Sequence, residues 1–211
     1  MATKTVKPLA KTRKSDDMRV EIIRAATEII NAKSYALATL TGIAATLDMK
    51  DAALYHYFPN KQALAYACHR SSLERFERLL HDADESGGTG EQKLRHLIRH
   101  MLAESALNGP QLYFGDFSYL EAPQRKAITV WADKLKAILI RFLKEGMADG
   151  SIVQCEPELV MQLLLGMLIW LGKWVPSVEG LTVDRLMNAI DASVFRGLER
   201  GHTVSVKTHK T

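Results

Sequence analysis

Two short apolar stretches joined by only three residues constrain this chain more than any other feature. The first is Leu40-Thr41-Gly42-Ile43-Ala44-Ala45-Thr46-Leu47, the second is Asp51-Ala52-Ala53-Leu54-Tyr55-His56-Tyr57, and Asp48-Met49-Lys50 lies between them. Leu40, Ile43, Ala44 and Leu47 recur at helical spacing, and Thr39 stands where a hydroxyl caps a helix. Two short helices so tightly joined form a helix-turn-helix. Met49, Ala53 and Leu54 anchor the second helix, which leaves Lys50, Asp51, Ala52, Tyr55, His56 and Tyr57 pointing outward as candidates for a DNA groove. Phe58 closes the small core, and Pro59 disfavours helical geometry in the residue before it. Asn60 then caps a further helix whose first turn carries Lys61, and a lysine at a helix N-terminus suits a phosphate.

From about Arg19 to Leu64 the chain resembles the N-terminal domain of the TetR family of bacterial transcriptional regulators. The residues that carry the resemblance are Ile22-Ile23-Arg24-Ala25-Ala26, Ile29-Ile30, Ser34-Tyr35 where the family favours Gly-Tyr, Ile43-Ala44, Leu54-Tyr55-His56-Tyr57-Phe58 and Lys61-Gln62-Ala63-Leu64. The resemblance implies that Tyr55 and Lys61 hold phosphates and that Thr41, Lys50, Ala52, Ala53, His56 and Tyr57 face or flank the major groove. Asp48 replaces the usual turn glycine, and Asp tolerates left-handed geometry better than most residues. Ala52 and Ala53 can touch a thymine methyl but donate no hydrogen bond, so base reading falls mainly on Lys50, His56 and Tyr57. The alternative is that the three aromatic rings are ordinary packing residues of an all-helical core.

Charge favours the DNA reading. Residues 1–65 hold ten Lys and Arg against six Asp and Glu, whereas residues 66–211 hold eighteen of each. An excess confined to the first third gains affinity for DNA through counterion release, and a neutral remainder fits a separate packing or ligand domain. Residues 1–16 carry Lys4, Lys7, Lys11, Arg13 and Lys14 with little apolar content and are expected to be a disordered basic arm, either tracking DNA or serving as a solubilising tail. No apolar run follows them, so they do not read as a signal peptide. The expected organisation is this arm, a DNA-binding domain over 17–65, a helical effector-binding and dimerisation domain over 66–200, and a frayed tail over 201–211.

Beyond the helix-turn-helix the pattern predicts only helices: a long one over Gln62 to about Ala83, then Glu91–Leu107, Gln111–Tyr119, Ala122–Gly146, Pro157–Val175 and Thr182–Gly201. The fold class is therefore all-α. Cys68 and Cys155 form no metal-ligand spacing and accompany no secretory signal, which points to reduced thiols in a cytoplasmic protein. The most apolar stretch, Leu159 to Trp174, contains Gln162 and Lys173 and is shorter than a bilayer requires, so no membrane partner is expected. Its Leu163, Met167, Trp170 and Trp174 exceed what one partner helix covers. With Leu186, Ile190 and Val194 of the last helix they are expected to form a homodimer interface, the alternative being a monomeric core.

Met101, Phe114, Phe117, Trp131, Leu135 and Ile138 are large central side chains that either line an apolar effector pocket or simply fill the core. The run Gly166 to Trp174 with Pro176, Gly180-Leu181 and Arg196-Gly197-Leu198 resembles TetR-family members that respond to acyl-CoA or related lipid metabolites, which implies a hydrophobic or acyl-thioester effector. His96, His100 and Glu104 share a helical face, but without an HExxH arrangement and beside Arg95 and Arg99 they read as a solvated face rather than a metal site. No phosphate-binding glycine motif or nucleophile elbow occurs, so neither a catalytic residue nor a cofactor is expected. The sequence thus points to a regulator with an operator in double-stranded DNA and a small-molecule effector, in which effector binding tilts the long fourth helix. A helical ligand-binding or metal-dependent enzyme with a vestigial helix-turn-helix and a sequence-tolerant architectural DNA binder are the alternatives.

Overall fold

The structure, a computed structural model, describes residues 9–112 and 117–197. Helix α1 (Leu9–Lys33) buries Ile22, Ala25, Ala26 and Ile30 along one side. It begins earlier than expected: residues 9–16 of the presumed arm are helical, while residues 1–8 lie outside the described residues, as does the tail over 201–211. Packing of Ile22 to Ile30 supplies the costly nucleus, after which each added residue gains a backbone bond. Ser34, at φ +77°, ends the helix in left-handed geometry, which explains why glycine is favoured there.

The two short helices stand where the sequence puts them. Helix α2 (Leu40–Thr46) is capped by Thr39, whose hydroxyl accepts the Gly42 amide at 3.0 Å. Asp48 turns the chain at φ +51°, and Met49 N–H donates to Ala44 O at 2.9 Å. Helix α3 (Asp51–Tyr57) follows, fixed by fully buried Leu54. Asn60 caps α4 (Lys61–Glu85) by accepting the Ala63 amide at 2.7 Å.

Helix α4 runs unbroken across the boundary expected at residue 65. Leu64, Ala65 and Cys68 belong to one core with Ile22, Ile43, Leu54 and Phe58, and Leu112 joins that core from beyond α5. Helices α5 (Gly90–Asn108) and α6 (Ala122–Asp149) pack on α4 and on each other, and α7 (Pro157–Trp174) packs on α6. A Thr89–Gln92 capping box starts α5. Gly90 is the point of closest approach: a Cβ there would lie 2.2 Å from the Gly146 nitrogen and 2.3 Å from the Phe142 oxygen.

Two expected helices differ. Gln111 and Leu112 are not helical, and residues 117–120 form a turn rather than the end of a helix. The backbone here bonds to side chains of other elements: Leu112 N–H donates to Ser72 Oγ at 2.8 Å, and Gln111 O accepts from Asn31 Nδ2 at 2.9 Å. These bonds fasten Gln111 and Leu112 to α1 and α4. Among the described residues, 179–197 belong to a second compact unit. Its helix α8 (Val183–Ile190), capped by Thr182, passes into a π-helical turn (Asp191–Phe195), and Gly197 at φ +72° follows, so the expected helix to Gly201 stops short. Among the described residues there is no strand, and no helix is long and apolar enough to cross a membrane.

Candidate nucleic-acid interface and ligand cavity

Lys50, Asp51, Ala52, Tyr55 and His56 are exposed together on α3, opposite buried Leu54. Both ends of this short helix are tied down. At its start, Thr41 Oγ1 donates to Asp51 Oδ2 at 2.9 Å, so these two residues brace α2 against α3. At its end, Arg19 donates to Tyr57 O at 3.1 Å and lies 4.3 Å over the Phe58 ring. Arg19 marks only the start of the matched stretch in the sequence, and its pairing across the chain has no local signal. Tyr57, expected to face outward, is partly buried against the core, and Ala53 is half-buried, which narrows the free face to the five residues above. Thr39 is exposed, with its hydroxyl engaged as the α2 cap.

Lys61, in the first turn of α4, donates Nζ to Ala36 O at 3.1 Å and sits 4.3 Å over the Tyr35 ring. An ammonium has three protons, so this leaves donors for a further acceptor. Tyr35 also stacks on Tyr119, with ring centroids 3.7 Å apart and planes 8° from parallel. Nothing in the sequence spacing foretells that contact.

A cavity of about 430 Å³ opens between α4, α6 and α7. Leu73 and Phe76 contribute from α4, Ala132, Leu135 and Lys136 from α6, and Gln162, Leu165, Gly166 and Ile169 from α7, with Phe117 completing the wall. Of the six expected pocket residues, Phe117 and Leu135 line it. Met101, Trp131 and Ile138 are partly buried and are not among the lining residues, and Phe114 lies outside the described residues. The lining residues missed from sequence lie on α4, on α7, read as an interface helix, and on α6 beside the expected Leu135, because one helical face looks alike whether it meets a side chain or a void. Among the described residues Lys136 is the one cation in the wall, and it pairs with Asp133 at 3.1 Å.

On the outer side of α7, Leu163 and Trp170 are 74% and 63% exposed, with Leu159 extending the stripe and Met167 and Trp174 partly exposed beside it. Of the expected interface residues in the second unit, Leu186 and Ile190 are already buried within one chain and Val194 is partly exposed. His96 and His100 stack with centroids 4.0 Å apart, and burial together with the His100 charge lowers the His96 pKa. The Cys68 thiol is pushed up to about 12 by burial.

Residues 22–68 match the family described as bacterial regulatory proteins of the tetR family, and residues 87–198 match the tetracyclin repressor-like C-terminal domain. No curated protein sequence matches the chain. Among solved structures, AibR in complex with isovaleryl coenzyme A and operator DNA is 22% identical with a TM-score of 0.70, the match covering 85% of this chain and 99% of that one. The TetR family transcriptional regulator PfmR from Thermus thermophilus is 22% identical, at a TM-score of 0.69 over 85% of this chain and 99% of its own. A TetR-family transcriptional regulator from Bordetella parapertussis 12822 is 17% identical, at a TM-score of 0.73 over 89% of this chain and all 100% of its own. With the two family matches meeting the two halves of the architecture, this chain belongs to the TetR family of bacterial transcriptional regulators.

Proposed function

We propose that the protein is a homodimeric, sequence-specific repressor that acts in the cytoplasm, binds a palindromic operator through α3, and releases it when a small hydrophobic or acyl-CoA-type effector enters the cavity between α4, α6 and α7. The observation that carries the reading is the face of α3: five exposed residues of mixed polarity on a helix braced at both ends, in the most basic third of the chain. A recognition helix needs that combination, because base edges are read only by side chains whose backbone is held in register. Lys50 and His56 supply donors for base edges, Ala52 suits a thymine methyl, and Lys61 with Tyr55 takes the flanking phosphates.

The cavity supports the second half. Its volume falls in the range of small-molecule sites, and its wall is apolar apart from Lys136 and Gln162. Such a wall suits an apolar body with one anionic or polar end, and AibR, similar in fold, is known with isovaleryl coenzyme A. The exposed Leu159, Leu163 and Trp170 stripe of α7 is the surface on which a second copy closes the dimer.

Selection of bound fragments from the parent genome at near-physiological salt, followed by footprinting, tests the proposal. Sharp enrichment of a palindrome with half-sites one helical turn or a multiple apart is the expected result. Binding that only tracks salt, displaced one for one by random DNA, would replace it with an architectural role.

A further inference from the structure

We propose that the short turn Phe117–Leu120 is the mechanical link by which cavity occupancy reaches the DNA-reading unit; this rests on the cavity being the effector site. Phe117 forms part of the cavity wall. Its ring meets His69 edge-on, with centroids 5.0 Å apart and planes at 76°. Two residues later Tyr119 meets the same His69 and reaches beyond it. Its ring stacks on Tyr35, its hydroxyl lies 2.7 Å from His69 Nε2, and its carbonyl accepts from Gln62 Nε2 at 2.6 Å.

The two ends cannot move independently. Leu120 N–H donates to Phe117 O at 3.0 Å and closes the turn, and fully buried His69 touches both rings. A ligand that displaces Phe117 therefore drags Tyr119. What Tyr119 holds is the entrance to the helix-turn-helix: Tyr35 belongs to the loop between α1 and α2, and Lys61 covers its ring while bonding Ala36 in the same loop. That loop delivers the chain to Thr39, the cap of α2. A ring stack is made or broken rather than graded, which is the discrete behaviour that coupling between sites requires.

The test needs neither the effector nor DNA. Gln162, on the exposed rim of the cavity, is replaced by cysteine (Gln162→Cys) in a Cys155→Ser background, and the new thiol is alkylated by addition across the double bond of N-butylmaleimide, which places a short apolar chain at the cavity. Cys68, buried and with its thiol pKa pushed up to about 12, does not compete. Amide hydrogen exchange is followed over Tyr35–Gln62. Alkylation is expected to speed exchange there about fivefold or more, the scale of ordinary site coupling. With Tyr119→Leu added, exchange starts fast and alkylation changes it no further. An equal response with and without Tyr119→Leu, or no response while Tyr119 is present, overturns the link. Should Tyr119→Leu not fold, Tyr35→Leu breaks the same stack while sparing the Tyr119–His69 bond, and the same two outcomes decide. Failure to find an operator would sink the repressor reading yet leave this measurement intact.

Discussion

Replacing Arg75 by methionine should destabilise the protein far more than the loss of an exposed ion pair, because the arginine ties two helices together from a nearly buried position. Arg75 rises from α4 with a side chain only 14% exposed and meets Glu104 of α5, itself 21% exposed. Its Nε donates to Glu104 Oε1 at 2.7 Å, and a second guanidinium nitrogen reaches the other carboxylate oxygen. The remaining donors go to the carbonyls of Gly109, at 2.6 Å, and Pro110, at 3.4 Å, where α5 ends and the chain turns back. Met keeps the apolar stem but strands two carbonyls and a largely desolvated carboxylate, which retains the Asn108 Nδ2 donor at 3.3 Å. Removing one partner of a buried pair costs about 3–5 kcal/mol, and with a fifth of Glu104 still in water the loss here should be nearer 2–3 kcal/mol. Urea denaturation at fixed protein concentration reads this as a lower midpoint with unchanged slope. Adding Glu104→Leu to Arg75→Met removes the stranded charge and should recover roughly half of the loss, because the penalty lies in the unpaired group. A single-mutant loss under about 0.5 kcal/mol, typical of open surface, or a double mutant no better than the single, would refute the argument.

Lys61→Ala should weaken binding to selected and random DNA alike and reduce the salt slope by about one, while an unchanged slope would remove Lys61 from the phosphate contacts. His56→Ala should relax base preference by about 1–3 kcal/mol at one position per half-site, seen by repeating the fragment selection; an unaltered consensus would count against a reading role. Asp84 is held at about 2 by hydrogen bonds from Arg141 and then Lys93, below its unfolded value. Its stabilisation is therefore complete above about pH 4 and is lost as pH falls through about 2, and Asp84→Asn should flatten that acid limb of the stability curve. With the side chain about a third exposed, the effect should stay below about 1 kcal/mol, and an acid limb identical to wild type would contradict it. Gly90→Ala drives a Cβ into the Gly146 and Phe142 backbone and should lower stability by about 1–3 kcal/mol, so an unchanged melting temperature would show that α5 and α6 part freely. Trp170→Ala should weaken self-association about tenfold or more in sedimentation equilibrium, whereas an unaltered dimer would move the interface off the outer face of α7.

Local chemistry explains what was legible in the sequence. Thr39, Asp48, Leu54 and Asn60 each act within a few residues of themselves, so caps, turn and anchor could be read directly and α2, α3 and the start of α4 follow within a residue or two. Contacts between distant residues leave no such trace. Gln111–Tyr119 reads as a helix because its apolar spacing allows one, yet Leu112 and Gln111 are tied to Ser72 and Asn31, 40 and 80 residues away, and residues 117–120 form a turn. Tyr57 reads as outward-facing beside Tyr55 and His56, yet it stands four residues after Ala53 and three after Leu54, so helical phase carries it to the core side, where it is partly buried. Four of the ten residues of the cavity wall lie on α7, where periodicity identifies an apolar helix and cannot assign its faces to a void, a neighbour or a second copy.

The same packing limits how a signal can cross the molecule. A hinge at residue 65 would separate Leu64, Ala65 and Cys68 from Leu112 and the rest of their shared core. Exposing each large apolar side chain costs about 1.5–3 kcal/mol, so even two of them exceed the 1–3 kcal/mol by which one ligand typically biases another. A rigid swing of the helix-turn-helix about that point is therefore too costly for an effector to drive. Unstacking Tyr119 from Tyr35 forfeits about 0.5–1.5 kcal/mol beyond the area involved, and both rings are only partly buried, so that area is smaller than for the core side chains. Helix α4 can then keep both cores intact, with Leu64 in one and Leu73 in the cavity wall, while the signal passes beside it through the 117–120 turn. On that arithmetic the 117–120 turn is a cheaper route than a hinge inside α4, while a tilt of α4 as a unit, which carries Leu64, Ala65 and Cys68 along with their core, stays open to an effector as well.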